Sequence, residues 1–418
     1  MWMNQIKLYL HGVFASRQIG DGLPIHARSL LSAASRELFA ATTGKVTVSN
    51  KFSAGVTFSE VPAKFRIGKA RIILMRFSKM QDLATAQPMT GGAHPAIEAA
   101  AWPGVARPLP PRAKFSDPEF TAKGERRASV SLSRLETLWF NTGTLCNLTC
   151  HNCYIESSPR NDRLAYLTRD EVLGILDEAA TLTPPPIEIG FTGGEPFLNP
   201  DCLGMIEDSL AGGYRVLVLT NAMKPMQRLK AVLLNLNARF PGKLTLRVSL
   251  DHYEAAGHEK LRGRRSWRTA IDGLVWLAAN RFNLAIAARM AWNETDAATR
   301  AGFRALFDDI GLEIDADDPT RLVLFPEMDA GEEAPEISEA CWTILGKSPD
   351  QMMCASSRMV EKRKGAARPV VTACTLLPYD PQFEMGATLA AAARPVKLNH
   401  NHCARFCVLG GASCNPQK

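Results

Sequence analysis

The 418 residues carry 46% hydrophobic and 22% charged side chains and a formal net charge of +7, the profile of a folded protein with room for a barrel-sized domain and one or two smaller pieces. No apolar run nears the roughly 18 residues a membrane helix needs, and residues 2–15 are too broken by polar side chains for a secretion signal. Ten cysteines without such a signal argue against a disulfide-stapled secreted fold and for metal sites in a reducing, cytoplasmic setting. The charge is uneven: residues 1–80 hold 12 Lys/Arg against 3 Asp/Glu, which leaves the remainder at −2, so the basic balance gives no support to nucleic-acid binding by the main body.

Residues 1–115 form a basic segment of low information. Residues 46–58 and 70–77 could pair as strands, but no motif or sustained period organises them, and Pro103, Pro108, Pro110 and Pro111 close the segment. The expectation is a poorly structured piece, or one not translated if synthesis starts at Met75, Met80 or Met89, with a basic docking arm as the other reading. From residue 135 strands and helices alternate. Strands are expected at 135–140, 187–191, 215–219, 244–251, 284–290 and 321–325, and helices at 199–210, 226–236, 267–280 and 297–310. Thr168-Arg-Asp-Glu171 is a capping box, and Val172, Ile175, Leu176 and Ala179 then share a helix face. Six β–α alternations with branched, buried-type strands predict an α/β fold with a parallel sheet. The acidic stretch 327–339 reads as a linker, and residues 341–418 as a separate cysteine-rich piece.

Chemistry concentrates at strand ends. The first expected strand runs into Cys146-Asn-Leu-Thr-Cys150-His-Asn-Cys153-Tyr154, three soft thiolate ligands in one short loop. Three cysteines leave one corner of an iron–sulfur cubane open; they could also join His151 around zinc, or be plain thiols. Gly193-Gly-Glu195-Pro196 follows the second strand, where missing side chains let backbone come close to a ligand.

The two motifs in this order resemble the cluster loop and glycine-rich motif of radical S-adenosylmethionine (SAM) enzymes. Thr220-Asn221-Ala222, with Ala where Gly is usual, Val248-Ser249-Leu-Asp251, His258-Glu-Lys-Leu-Arg262-Gly263 and Arg289 add to the resemblance. It implies an open (β/α)6 partial barrel over residues 130–330. It also implies a [4Fe–4S] cluster on Cys146, Cys150 and Cys153, and SAM held by Tyr154, Gly193, Gly194, Glu195, Asn221, Ser249 and Arg289. The implied reaction is reductive cleavage of SAM to a 5′-deoxyadenosyl radical that takes hydrogen from a peptide or small molecule. The electron donor would be of flavodoxin or ferredoxin type, with no membrane and no nucleic-acid partner. No one residue is singled out as catalytic.

The last 78 residues hold Cys341, Cys354, Cys374, Cys403, Cys407 and Cys414. They resemble the SPASM or twitch extensions that carry auxiliary clusters, although the dense C-x2-C-x5-C element is missing. The expected ligands of a second iron–sulfur cluster are Cys354, Cys374, Cys403 and Cys407, with Cys414 as a fifth candidate; zinc is the competing metal. Cys202 and Cys341 read as incidental. The rival for the whole chain is a non-enzymatic zinc or iron–sulfur protein with a nucleic-acid-contacting basic arm.

Overall fold

Strands buried on both faces need helices to return the chain to the same end of a sheet, and the alternation read from the sequence takes that form. The structure, a computed structural model, describes residues 113–290, 292–327 and 333–411, all within the compact unit Trp102–Lys418. The expectations for residues 1–112, and that for Cys414, lie outside the described residues.

Six strands, β2 (Thr137–Asn141), β3 (Glu188–Thr192), β4 (Arg215–Thr220), β5 (Leu244–Ser249), β6 (Asn283–Met290) and β7 (Leu322–Pro326), pair in parallel in that order. The connections carry α1 (Arg169–Thr181), α2 (Cys202–Ala211), α3 (Lys224–Gln227), α4 (Lys230–Arg239), α5 (Ala255–Arg262), α6 (Ser266–Ala279) and α7 (Asp296–Asp309). The fold is the α/β partial barrel expected. The Thr168 hydroxyl accepts from the Glu171 N–H and Glu171 answers at the Thr168 N–H, so the capping box forms, and Val172, Leu176 and Ala179 are the buried face of α1.

Two expected helices begin differently. The helix expected over residues 199–210 starts late, because Pro196–Leu198 forms a 3-10 turn first. Asn199 is buried with its Nδ2 donating to the carbonyls of Thr142 and Leu167 at 3.0 and 2.9 Å. That anchoring takes Asn199 out of the helix, which starts at Cys202. Likewise the stretch 226–236 divides into α3, which carries Pro225 in its first turn, and α4, which starts at Lys230.

The C-terminal residues continue the sheet. Strand β8 (Ser357–Glu361) pairs in parallel with β2, and β9 (Val370–Thr372) and β10 (Glu384–Gly386) follow antiparallel, giving nine strands in the order β10–β9–β8–β2–β3–β4–β5–β6–β7. At the far edge the π-helix Cys403–Leu409 packs on β7, with Phe406 stacked on Phe325 at 5.4 Å between centroids. The cysteine-rich piece therefore touches both edges of the open barrel. The stretch read as a linker is also docked. Glu336 accepts from the buried Arg127 Nη2 at 2.6 Å and from the N–H groups of Phe115 and Ala122. A small ribbon, β1 (Ser129–Val130) with β11 (Val396–Lys397), closes beside it.

Side-chain size is matched inside the sheet. Trp139 on β2 is fully buried opposite Gly190 on β3, and a Cβ at Gly190 would collide with its ring. Gly190→Ala is expected to destabilise the fold by about 1–3 kcal/mol through overpacking, read as a lower denaturation midpoint. An unchanged midpoint would mean the indole has room to shift.

Candidate active site

The three cysteines follow β2 through a segment pinned on both sides. Asn141 Oδ1 accepts the Gly143 N–H at 3.1 Å, and Gly143 takes φ +117°, a region that favours glycine. Gly194 N–H donates to Gly143 O at 2.9 Å and Glu195 N–H to Leu145 O at 3.1 Å. A Cβ at Gly193 would sit 2.5 Å from Gly143 O, and one at Gly194 would strike Leu145 O. The close approach these glycines permit is thus to the backbone leading into Cys146. Further along, His151 N–H donates to Leu261 O at 2.7 Å, and Asn152, at φ +50°, donates from Nδ2 to Glu327 at 2.7 Å.

Cys146 is buried, and Cys150 and Cys153 are half-buried. All three line one cavity of about 180 Å³ together with Tyr154, Gly193, Gly194, Asn221, Ser249 and Arg289. Residues read from five separate strand ends are brought to one space. His151, the candidate fourth zinc ligand, is exposed and does not line it. Among the described residues no three His, Cys, Asp or Glu side chains converge on a single ion. The donor set, three thiolates lining one space, is of a kind that an iron–sulfur cluster takes.

Burial pushes the Cys146 thiol up to about 12. It also raises Cys150, against the pull of the Arg262 charge. Any metal bound by these sulfurs would therefore displace protons.

Glu195 does not line the cavity. Its buried carboxylate accepts from Thr220 Oγ1 and from the Asn221 N–H, both at 2.8 Å, and burial raises its pKa to about 7 against those bonds. Asn221 in turn donates from Nδ2 to Asn147 Oδ1 in the cysteine loop at 2.9 Å. Ala222 takes φ +56°, the conformation that explains why glycine would be the ordinary choice there.

Arg289 lies on the cavity wall with its fork engaged. Nη2 donates to Asp251 Oδ2 at 3.0 Å and Nη1 to His151 O at 2.8 Å. Arg262, from the end of α5, donates to the same carboxylate through Nε at 2.8 Å and Nη2 at 3.1 Å. Burial alone would raise the Asp251 carboxyl, but the two guanidiniums outweigh it and hold it below the ordinary carboxylate range. Asp251 and Arg262 belong to quoted motifs but are not among the expected site residues. Leu376 and Phe406, also on the wall, come from the C-terminal region, and no local pattern could have placed them.

Cys354, Cys374, Cys403 and Cys407 line a second, smaller cavity of about 20 Å³ walled by Met353, Leu377, Phe383 and Leu398. Cys403 and Cys407 share the π-helix, where Gly410 N–H bonds Arg405 O at 2.8 Å. Single π turns recur at functional sites. Burial raises Cys354 to about 11 and pushes Cys403 up further. An open groove of about 630 Å³ runs past Tyr379, Asp380 and His400. Tyr154 and Leu376 belong both to its wall and to that of the first cavity. Cys202 and Cys341 line none of these spaces.

Residues 140–290 match the Radical SAM superfamily model. A stretch of 120 residues is 30% identical to the antilisterial bacteriocin subtilosin biosynthesis protein AlbA of Bacillus subtilis (strain 168), covering 29% of this chain and 25% of AlbA. The chain thus spans about a quarter of that relative. Among solved structures, Streptococcus suis SuiB bound to S-adenosylmethionine aligns over 61% of this chain and 64% of its own at 13% identity and a TM-score of 0.45. Hexahistidine-tagged anSMEcpe with bound AdoMet aligns over 62% and 77% at 17% identity and a TM-score of 0.44. Among the described residues no helix is long and apolar enough to cross a membrane. The match runs from the end of β2 through the cysteine loop and the strand ends after it, so residues 140–290 are a radical SAM domain, a domain whose family works with a [4Fe–4S] cluster and S-adenosylmethionine.

Proposed function

We propose that Cys146, Cys150 and Cys153 hold the [4Fe–4S] cluster, that SAM occupies the cavity beside them, and that the chain removes hydrogen from a peptide substrate. One observation carries the reading: the three cysteines and the strand-end residues Gly193, Asn221, Ser249 and Arg289 line a single cavity. The chemistry these groups supply when bound is one-electron scission of a carbon–sulfur bond of SAM, followed by hydrogen-atom abstraction.

The chain's own residues hold and orient. Gly193 and Gly194 keep the cysteine loop seated on β3. Glu195 acts through Asn221, fixing the β4 end against Asn147, rather than by touching cofactor. Tyr154 and Ser249, both on the cavity wall, would bind the adenine and the ribose of SAM. Arg289, anchored by Asp251 and His151, brings a fixed positive charge for the SAM carboxylate. Cys354, Cys374, Cys403 and Cys407 would hold a second cluster, which would supply electron transfer or a substrate anchor, and the electron would come from an external donor of flavodoxin or ferredoxin type.

A peptide is favoured over a small molecule by two things. The 30%-identical stretch lies in a bacteriocin biosynthesis protein, and the groove sharing Tyr154 and Leu376 with the cavity is open enough for an extended chain. The test is anaerobic reconstitution with iron and sulfide, then SAM and dithionite. Methionine and 5′-deoxyadenosine are expected in equal amounts. An iron-replete chain that releases neither would overturn the reading.

A further inference from the structure

Behind the second cavity lies a buried cation that no carboxylate among the described residues balances. Arg358, on β8, is 1% exposed. Its guanidinium donates to main-chain carbonyls: Nε to Ala392 O at 2.8 Å, Nη1 to Cys354 O at 2.6 Å and to Ser357 O at 2.7 Å, and Nη2 to Arg394 O at 3.3 Å. Arg127, equally buried, follows the usual rule instead and meets the Glu336 carboxylate. An arginine does not shed its charge in a protein, and a buried charge is normally paired. Carbonyl dipoles satisfy its N–H groups but leave its net charge in place.

The guanidinium reaches the second cavity through the Cys354 carbonyl, and Cys354 lines that cavity together with Cys374, Cys403 and Cys407. We propose that Arg358 is the fixed counter-charge of an iron–sulfur cluster on Cys354, Cys374, Cys403 and Cys407, and that it holds the reduction potential of that cluster up. This rests on the second-cluster reading above. A thiolate-ligated cluster is anionic and gains one more negative charge when one electron enters, and net charge and nearby cations are among the factors that set its potential. A buried cation against the backbone of one of its ligands favours the reduced form. Arg358 is a positioning and tuning residue, since it touches the Cys354 backbone and no reacting atom.

The experiment uses the full chain reconstituted anaerobically, as wild type, Arg358→Gln and Arg358→Lys, with Cys354→Ala as the control for the cluster. Iron and sulfide are counted, and the spectrum of the second cluster is followed during a dithionite titration against redox dyes. Gln removes the charge and keeps hydrogen-bonding capacity; Lys keeps the charge and loses the planar fork. At fixed ambient potential the ratio of reduced to oxidised second cluster should fall about tenfold in Arg358→Gln, equivalent to about 59 mV for one electron, and return toward wild type in Arg358→Lys. Identical titrations for wild type and Gln would overturn the proposal. Equal loss of the second cluster from Gln and Lys would overturn it too, because the fork and not the charge would then be what matters. Should Cys354→Ala bind as much iron as wild type, the second-cluster reading itself fails, a result that iron counting separates from the other two.

Discussion

Cys146→Ala is expected to lower bound iron from about eight to about four atoms per chain, the content of two [4Fe–4S] clusters and then of one, and to abolish reductive SAM cleavage. The argument is geometric. Cys146 is the most buried of the three loop cysteines, and its neighbours offer no substitute: His151 is exposed with its backbone committed to Leu261. Losing one of three ligands leaves two thiolates for a cubane that already has an open corner. Cys354→Ala should do the reverse, removing the other four or so irons while SAM is still cleaved, because its cavity is walled off from the first by Leu376. Iron content by colorimetry and 5′-deoxyadenosine by chromatography decide the matter. A Cys146→Ala protein that keeps its full iron and still cleaves SAM would remove the loop from the reaction.

How much of this the amino-acid sequence disclosed depends on distance along the chain. The cysteine loop, the capping box at Thr168 and the six strands were legible because each rests on residues within a few positions of one another, where side-chain chemistry and period fix the outcome. Gly193 and Gly194 were legible as a close approach, but the partner was not: it is the backbone of residues 143–145, brought over by the parallel pairing of β2 and β3. Glu195 reads along the chain as a cofactor contact for the same reason, since only the fold places Thr220 and Asn221 around its carboxylate.

The C-terminal piece carries the same lesson more strongly. Its cysteines could be counted, and the four expected to act together do line one cavity. Nothing local says that Ser357–Glu361 adds a parallel strand to β2, or that Phe406 reaches β7 to finish the wall of the first cavity. Arg358 reads as an ordinary strand arginine until its carbonyl cage is seen. The family match ends at residue 290 and bears on the loop cysteines, not on those of the C-terminal piece.

The second large effect should come from Asp251. Arg262 and Arg289 both donate to its carboxylate at 2.8 to 3.1 Å, with side chains 15% and 12% exposed against 3% for Asp251 itself. Asp251→Ala strands two guanidiniums in a site where water reaches them poorly, and breaking a buried pair of this kind costs about 3–5 kcal/mol. The sign with pH follows from the same contacts. The folded-state pKa of Asp251 is held below its unfolded value, so the carboxylate contributes stability that is fully present above the ordinary carboxylate range and is lost as the pH falls through the lowered value. Wild type and Asp251→Ala should therefore differ most near neutrality and converge in acid. Urea denaturation of the two proteins at neutral pH and at successively lower pH measures both statements. A difference below about 1 kcal/mol at neutral pH, the range of exposed surface pairs, would mean that solvent already screens the triad. The expected larger loss would place the Asp251 carboxylate as the tie that binds the end of β5, the end of β6 and the last turn of α5 beneath the cysteine loop.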